Sequence, residues 1–119
     1  MKYYEGPCPI EKVLNVFSGK WKPSIIYHLE HEEVLRFGEL TRIIPEVTQR
    51  MLTQQLRELE RDGIIERKSY DEKIRRVEYR LTALGLTFRS IATELEKWGQ
   101  SHMSSVKKAR DAFDAVQSL

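Results

Sequence analysis

The side chains with the clearest potential for chemistry lie between Thr48 and Arg61, where polar residues recur at helical spacing. Arg can donate two hydrogen bonds to guanine, Gln can pair with adenine, and Thr can contact the methyl group of thymine. The chain holds 18 acidic residues, yet the first outward positions of this segment carry no carboxylate that would repel phosphate. We therefore predict a surface that contacts double-stranded DNA, formed by Gln49, Arg50, Thr53, Gln54 and Arg57.

The opposite side of this segment is apolar, as a helix that packs on a core requires. Leu52, Leu56 and Leu59 recur every three or four residues. Thr48 suits the N-cap position because its hydroxyl can accept a free backbone N–H of the first turn. Residues 36–45 predict a shorter helix and a tight turn just before it. This order predicts a helix-turn-helix whose second helix enters the major groove.

A basic hairpin is predicted directly after the second helix. Residues 64–70 and 77–81 alternate apolar and polar side chains in places, as half-buried strands do. The tip between them combines two acidic residues with cations that can hold phosphates without reading bases. The predicted phosphate contacts of this wing are Lys73, Arg75 and Arg76.

Two other interpretations of the polar helix face remain open at this stage. An isolated amphipathic helix with such a face is more often simply solvated, and a winged-helix module can dock a protein instead of DNA. Salt dependence separates these alternatives, because phosphate contacts release counterions and lose affinity steeply between about 50 and 200 mM salt.

Several short motifs follow one another along residues 8 to 99: Cys8-Pro9-Ile10, Gly19-Lys20-Trp21-Lys22, Arg36-Phe37-Gly38-Glu39-Leu40, Met51-Leu52-Thr53, Leu56-Arg57-Glu58-Leu59, Asp62-Gly63, Val77-Glu78-Tyr79 and Leu81-Thr82. Together they resemble those of the HxlR-type winged-helix transcription regulators, relatives of the MarR group. The resemblance implies a mainly α fold with a small antiparallel β wing and a homodimer that binds operator DNA. In this family the hairpin tip is often rich in proline, and here Asp71, Lys73, Ile74 and Arg75 stand there instead.

The flanking segments are predicted to build the scaffold. Pro9 to Phe17 and Trp21 to Glu30 each carry an apolar stripe at helical spacing, and Gly19 separates them. Trp21 is predicted to anchor the core. Val34 and Leu35 can supply a short third strand to the wing sheet.

The C-terminal segment predicts a dimer interface. Its apolar stripe needs a partner surface, and a two-fold pair presents two recognition helices to one face of DNA. Half-sites would then lie about one helical turn apart. We divide the chain into a DNA-binding domain, residues 1–99, and a helical extension for dimerisation, residues 100–119. Gly99 and Ser101 are expected to kink or divide the C-terminal helix. The predicted interface residues are Ile91, Leu95, Trp98, Phe113 and Val116. The alternative packs this tail on its own core.

Cys8 is the candidate sensing residue. Because Pro9 suits the first helical turn, Cys8 falls near the N-cap, where free N–H groups and the helix dipole stabilise a thiolate. The resemblance implies sensing of oxidants, quinones or aldehydes at this cysteine. With no second cysteine in the chain, an adduct, a mixed disulfide or an intersubunit Cys8–Cys8 bond are the available products. The alternative is an inert small residue at a helix start.

Composition excludes several classes of protein. A chain of 119 residues has the length of a single domain. Because the net charge is only +2, any affinity for DNA must come from where the charges lie and not from their total. The start lacks the apolar core of a signal peptide, and no apolar run reaches membrane-spanning length. The single cysteine suits a reducing cytosol, so we expect a cytoplasmic, nucleoid-associated protein.

No pair of side chains is spaced as a catalytic pair requires, and no cofactor is expected. His28 and His31 leave a metal shell incomplete unless the fold brings His102 near.

Overall fold

The computed structural model describes residues 8–70, 73 and 76–118. Within these ranges the chain is mainly helical with a small antiparallel sheet, as predicted. The elements in chain order are α1 (Pro9–Phe17), α2 (Lys22–Glu32), β1 (Leu35–Arg36), α3 (Phe37–Ile43), α4 (Gln49–Arg61), β2 (Ile65–Ser69), β3 (Val77–Leu81), α5 (Ala83–Leu86) and α6 (Arg89–Gln117).

The chain divides into two compact units, one ending at Leu86 and the other beginning at Thr87. The first unit contains the helices α1 to α5 and the sheet, and the second contains α6. The boundary predicted between residues 99 and 100 falls inside α6. The assignment of separate roles to residues 1–99 and 100–119 therefore stays a prediction.

The sheet has three antiparallel strands in the order β1-β3-β2. The hairpin register pairs Ile65 with Leu81 and Ser69 with Val77. On the other edge of β3, Leu35 pairs with Tyr79, which confirms the predicted third strand. With α3 and α4 preceding the hairpin, this arrangement is the predicted winged helix-turn-helix.

The core of the first unit lies between α2, α3, α4 and the sheet. Trp21 is buried, which confirms it as a core anchor. The fully buried side chains, which come from α2, α3, α4 and β2, are Ile25, Ile26, Leu29, Leu40, Leu52, Leu59 and Ile65. Full burial of each contributes roughly 1.5–3 kcal/mol, so this apolar set fixes where α4 sits in its unit.

A close backbone crossing ties the end of α4 to the end of the wing. The Thr82 hydroxyl donates to the Gly63 carbonyl oxygen at 2.5 Å and accepts from the Gly85 N–H at 3.0 Å. A Cβ atom at Gly85 would overlap the Ile64 carbonyl oxygen, so only glycine fits there. Gly63 has a φ of 77°, a left-handed conformation that glycine adopts without strain. The wing is thereby anchored directly behind the recognition helix.

Two expectations about the outer helices are wrong. The apolar stripe of α1 was expected to build the scaffold, but none of its residues is buried, and Ile10, Val13 and Leu14 are exposed. Within its own unit the nine-residue α1 has no apolar surface that covers this stripe.

Gly99 and Ser101 were expected to kink or divide the C-terminal helix, yet α6 runs unbroken through both. A single helical glycine costs only about 1 kcal/mol, which is too little to end so long a helix.

Candidate nucleic-acid interface

The N-terminus of α4 is set by a side-chain cap. The Thr48 hydroxyl accepts a hydrogen bond from the Met51 N–H at 3.1 Å, as predicted. From this start, Leu52, Leu56 and Leu59 all turn into the core. Because a helix turns 100° per residue, Arg50, Gln54 and Arg57 lie about 140–160° around the helix from Leu52 and face away from the core.

The five residues predicted to contact DNA lie together on that outer face. Gln49, Arg50, Gln54 and Arg57 are exposed, and Thr53 is half-buried. Together with Phe37 of α3 and Glu58, they line an open groove of about 630 Å³. The structure therefore brings the predicted set into one continuous surface.

The charge of this surface is positive and available. In the described part of the chain, neither Arg50 nor Arg57 forms an ion pair. The carboxylate that borders the groove, Glu58, is bound by the Lys22 ammonium at 2.9 Å. Two free guanidinium groups beside two amides match the mixture of phosphates and base edges in a major groove.

A second groove, of about 530 Å³, lies between α4 and the sheet and includes a residue that sequence reasoning missed. Arg67 of β2 lines it together with Arg57 and Phe37. Arg67 pairs in register with Tyr79 and is exposed. Its position two residues after the buried Ile65 is the signal that could have found it, since alternate residues of a strand share one face. Glu60 also lines this groove, so its two arginines face one carboxylate, and the basic side chains continue from α4 onto the wing.

The base of the wing is packed more tightly than the sequence suggested. The Arg76 guanidinium carbon lies 4.0 Å from the centre of the Tyr70 ring, and its Nε is 3.5 Å from Glu78 Oε2. The Lys68 ammonium lies 5.0 Å from the same ring. Arg76 is thus half-buried and engaged within the hairpin. Its predicted phosphate contact stays a prediction, as does that of Lys73, which is exposed. Arg75 lies outside the described residues.

Cys8 occupies the N-cap of α1, followed by Pro9 in the first turn, as predicted. Its thiol is exposed and makes no capping hydrogen bond. The Cys8 carbonyl accepts from the Lys12 N–H at 3.1 Å, which places the residue at the first turn of the helix. An exposed thiol in this position is accessible to reagents in solution. Its role as a sensor stays a prediction.

The predicted interface residues of the second unit share one side of α6. At 100° per residue, Ile91, Leu95, Trp98, Phe113 and Val116 fall within about 60° of one another. All five are exposed, and α6 has no buried residue. The Trp98 ring lies 5.0 Å from the His102 ring, so His102 belongs to the same side. Because α6 is unbroken, these residues form one apolar stripe rather than two.

The three histidines, all of which the structure describes, do not form a metal site. In the described part of the chain, no group of three or more His, Cys, Asp or Glu residues could hold a metal ion. The His31 ring Nδ1 instead lies 2.8 Å from the Tyr27 carbonyl oxygen. Within residues 8–70, 73 and 76–118, no helix combines the length and the apolar character that crossing a bilayer requires.

Comparison with known proteins agrees with this geometry. Residues 16–107 match the model of the HxlR-like helix-turn-helix family. YdeP of Bacillus subtilis (strain 168), an uncharacterized HTH-type transcriptional regulator, is 42% identical over 116 residues, which cover 95% of this chain and 89% of YdeP.

Solved structures give the same result. The redox regulator HypR in its reduced form superposes with a TM-score of 0.79 and 44% identity, over 85% of this chain and 99% of HypR. The reduced form of the transcriptional regulator YodB from B. subtilis superposes with a TM-score of 0.72 and 32% identity, over 82% of this chain and 95% of YodB. These relatives are regulators rather than enzymes. The chain therefore belongs to the HxlR-like helix-turn-helix family and is a DNA-binding transcription regulator of the HxlR and MarR type.

Proposed function

We propose that the protein acts as a homodimer that reads a pseudo-palindromic operator with α4 in the major groove. The observation that carries this proposal is the outer face of α4, where Arg50, Gln54 and Arg57 are exposed beside one another. Arg and Gln offer the paired hydrogen-bond donors and acceptors that distinguish base pairs. Arg57 and Arg67, which border the second groove, are suited to the flanking phosphates.

Two exposed apolar surfaces support the dimer. The stripe of α6, formed by Ile91, Leu95, Trp98, Phe113 and Val116, is exposed in the single chain, and so is the stripe of α1. A large aromatic side chain alone buries about 150–250 Å² when it is covered, so leaving Trp98 in water is costly. A two-fold interface covers the same surface on both subunits and presents two copies of α4 to one duplex.

The base-reading role predicts the effects of single substitutions. Arg50→Ala or Gln54→Ala should weaken binding to the operator by roughly 1–3 kcal/mol and relax the preference at particular base pairs. Competition binding against operator variants with single base changes measures both effects. Lys107→Ala, which removes an exposed cation of α6 paired with Asp111, is the control and should leave the base preference intact.

The wing variants complete this comparison. Arg75→Ala, at the predicted tip, and Arg67→Ala should weaken binding evenly across sequences and flatten the salt slope. If all four variants lose the same affinity on every sequence, the division between reading and gripping residues is wrong. Wild-type protein without affinity for any duplex at 50 mM salt would instead indicate a protein-docking module.

The dimer proposal predicts that a charge in the α6 stripe separates the subunits. Leu95→Glu places a carboxylate in the interface twice per dimer, so dimerisation should weaken about 100-fold or more, as two losses of over 1.4 kcal/mol imply. Sedimentation equilibrium measures the dissociation constant. Met103→Glu is the matched control, because Met103 is equally part of α6 but lies off the stripe. Equal dissociation constants for the two variants would place the interface elsewhere.

Oxidant or electrophile sensing at Cys8 is the proposed regulatory function. The exposed thiol at a helix N-terminus supports it, as do the similar structures of HypR in an oxidised form and of YodB after diamide treatment. In an intersubunit disulfide, two Cys8 thiols lose two protons and two electrons to an oxidant such as diamide. An adduct of one thiol with an electrophile is the alternative product.

This proposal predicts that diamide changes operator affinity through Cys8 alone. We expect a change of about 5–150-fold, the usual size of an allosteric coupling, and none in Cys8→Ser. Binding titrations before and after treatment, with mass spectrometry to show that Cys8 is modified, measure the effect. Full modification of Cys8 with unchanged affinity would contradict the proposal.

A further inference from the structure

Lys22 is the buried charged residue of the described chain. It is 7% exposed, and its ammonium lies 2.9 Å from Glu58 Oε2 of α4. Lys22 opens α2, where the helix dipole presents its positive end and disfavours a cation. Burial adds a desolvation cost that only a close partner offsets. The position of Lys22 at the start of α2 therefore does not explain why a lysine stands there. The explanation must come from its ion-pair partner, Glu58.

Its partner borders the DNA-contacting surface. Glu58 follows Arg57 directly and lines the same groove as Arg50 and Gln54. Without Lys22, this carboxylate would carry an uncompensated charge at the edge of that groove, where it would repel phosphate and compete for the Arg57 guanidinium. The ammonium of Lys22 neutralises it.

The same ion pair supplies a directional contact that the leucines of α4 lack. Apolar burial decides which side of α4 faces the core, but it is non-directional, so it restrains small rotations about the helix axis weakly. A buried ammonium held by one carboxylate favours one geometry, and buried charged groups specify conformation in some proteins. The pair joins the first turn of α2 to the last turn of α4. It therefore restrains the small rotations of α4 that the leucines allow.

We propose that Lys22 is a positioning residue for DNA binding. Through Glu58, it neutralises a carboxylate beside the phosphates and restrains the rotation of α4 so that Arg50 and Gln54 meet base edges. This inference rests on the proposed function of α4. Lys22 itself, buried beneath the helix, does not contact DNA.

The test uses the full chain with Lys22→Met, Glu58→Gln and the double variant. Affinity is measured for the duplex enriched by in vitro selection and for an unrelated duplex of equal length, at one salt concentration. Urea denaturation shows that each variant is folded under the binding conditions. Lys107→Met is the matched control, since it breaks an exposed ion pair with the same change of side chain.

We expect Lys22→Met to bind the operator about tenfold more weakly or worse, with a smaller loss on the unrelated duplex. The double variant should recover the affinity for the unrelated duplex, because no carboxylate is left to repel DNA, but it should keep a reduced ratio of operator to unrelated affinity, because the directional contact is absent. A merely structural role for Lys22 would lower the urea midpoint without changing the affinity of folded protein. Lys107→Met should match wild type.

Two results overturn the inference. One is folded Lys22→Met that binds both duplexes like wild type, and the other is a double variant that binds the unrelated duplex as weakly as Lys22→Met does. If Lys22→Met does not fold, Glu58→Gln takes its place in the test. A lower ratio of operator affinity to unrelated-duplex affinity than in wild type supports the inference, and an unchanged ratio overturns it. Wild-type protein that binds no duplex would refute the proposed function, and this inference with it.

Discussion

The burial of one side of α4 is the constraint on which the remaining structure depends. Leu52, Leu56 and Leu59 are completely or almost completely buried, and each contributes roughly 1.5–3 kcal/mol. No polar contact of α4 stabilises the fold as much as the burial of these three leucines together. Since the helix cannot turn this side outward, Arg50 and Gln54 must face away from the core. The packing of the three leucines therefore also exposes the polar side chains of α4 that we propose contact DNA.

Polar contacts refine what the leucines establish. Thr48 caps the start of α4 and fixes where its first turn begins, and the Lys22–Glu58 pair connects its last turns to α2. Thr82 then joins the segment after α4 to the end of the wing. Net hydrogen bonds contribute only about 0.5–1.5 kcal/mol each, but they are directional. In this fold, apolar burial supplies stability and the polar contacts refine the orientation of the outer face of α4.

Local features of the sequence predicted most of the fold, and the five α4 residues predicted to contact DNA share one surface. The cap at Thr48, the spacing of the α4 leucines and the strand alternation around the hairpin are all signals within a few residues, and each was confirmed. The exposed stripe of α1, the stacking of Arg76 on Tyr70 and the burial of Lys22 against Glu58 were missed. These features depend on which distant segments meet in space, and periodicity carries no information about that.

The central claim is that two copies of the α4 outer face read one duplex. In vitro selection of bound DNA from a random duplex library tests it most directly. We predict an enriched inverted repeat whose half-sites are centred about one helical turn apart, near 10–10.5 base pairs. Enrichment of no sequence, or of a single site without two-fold symmetry, would contradict the account.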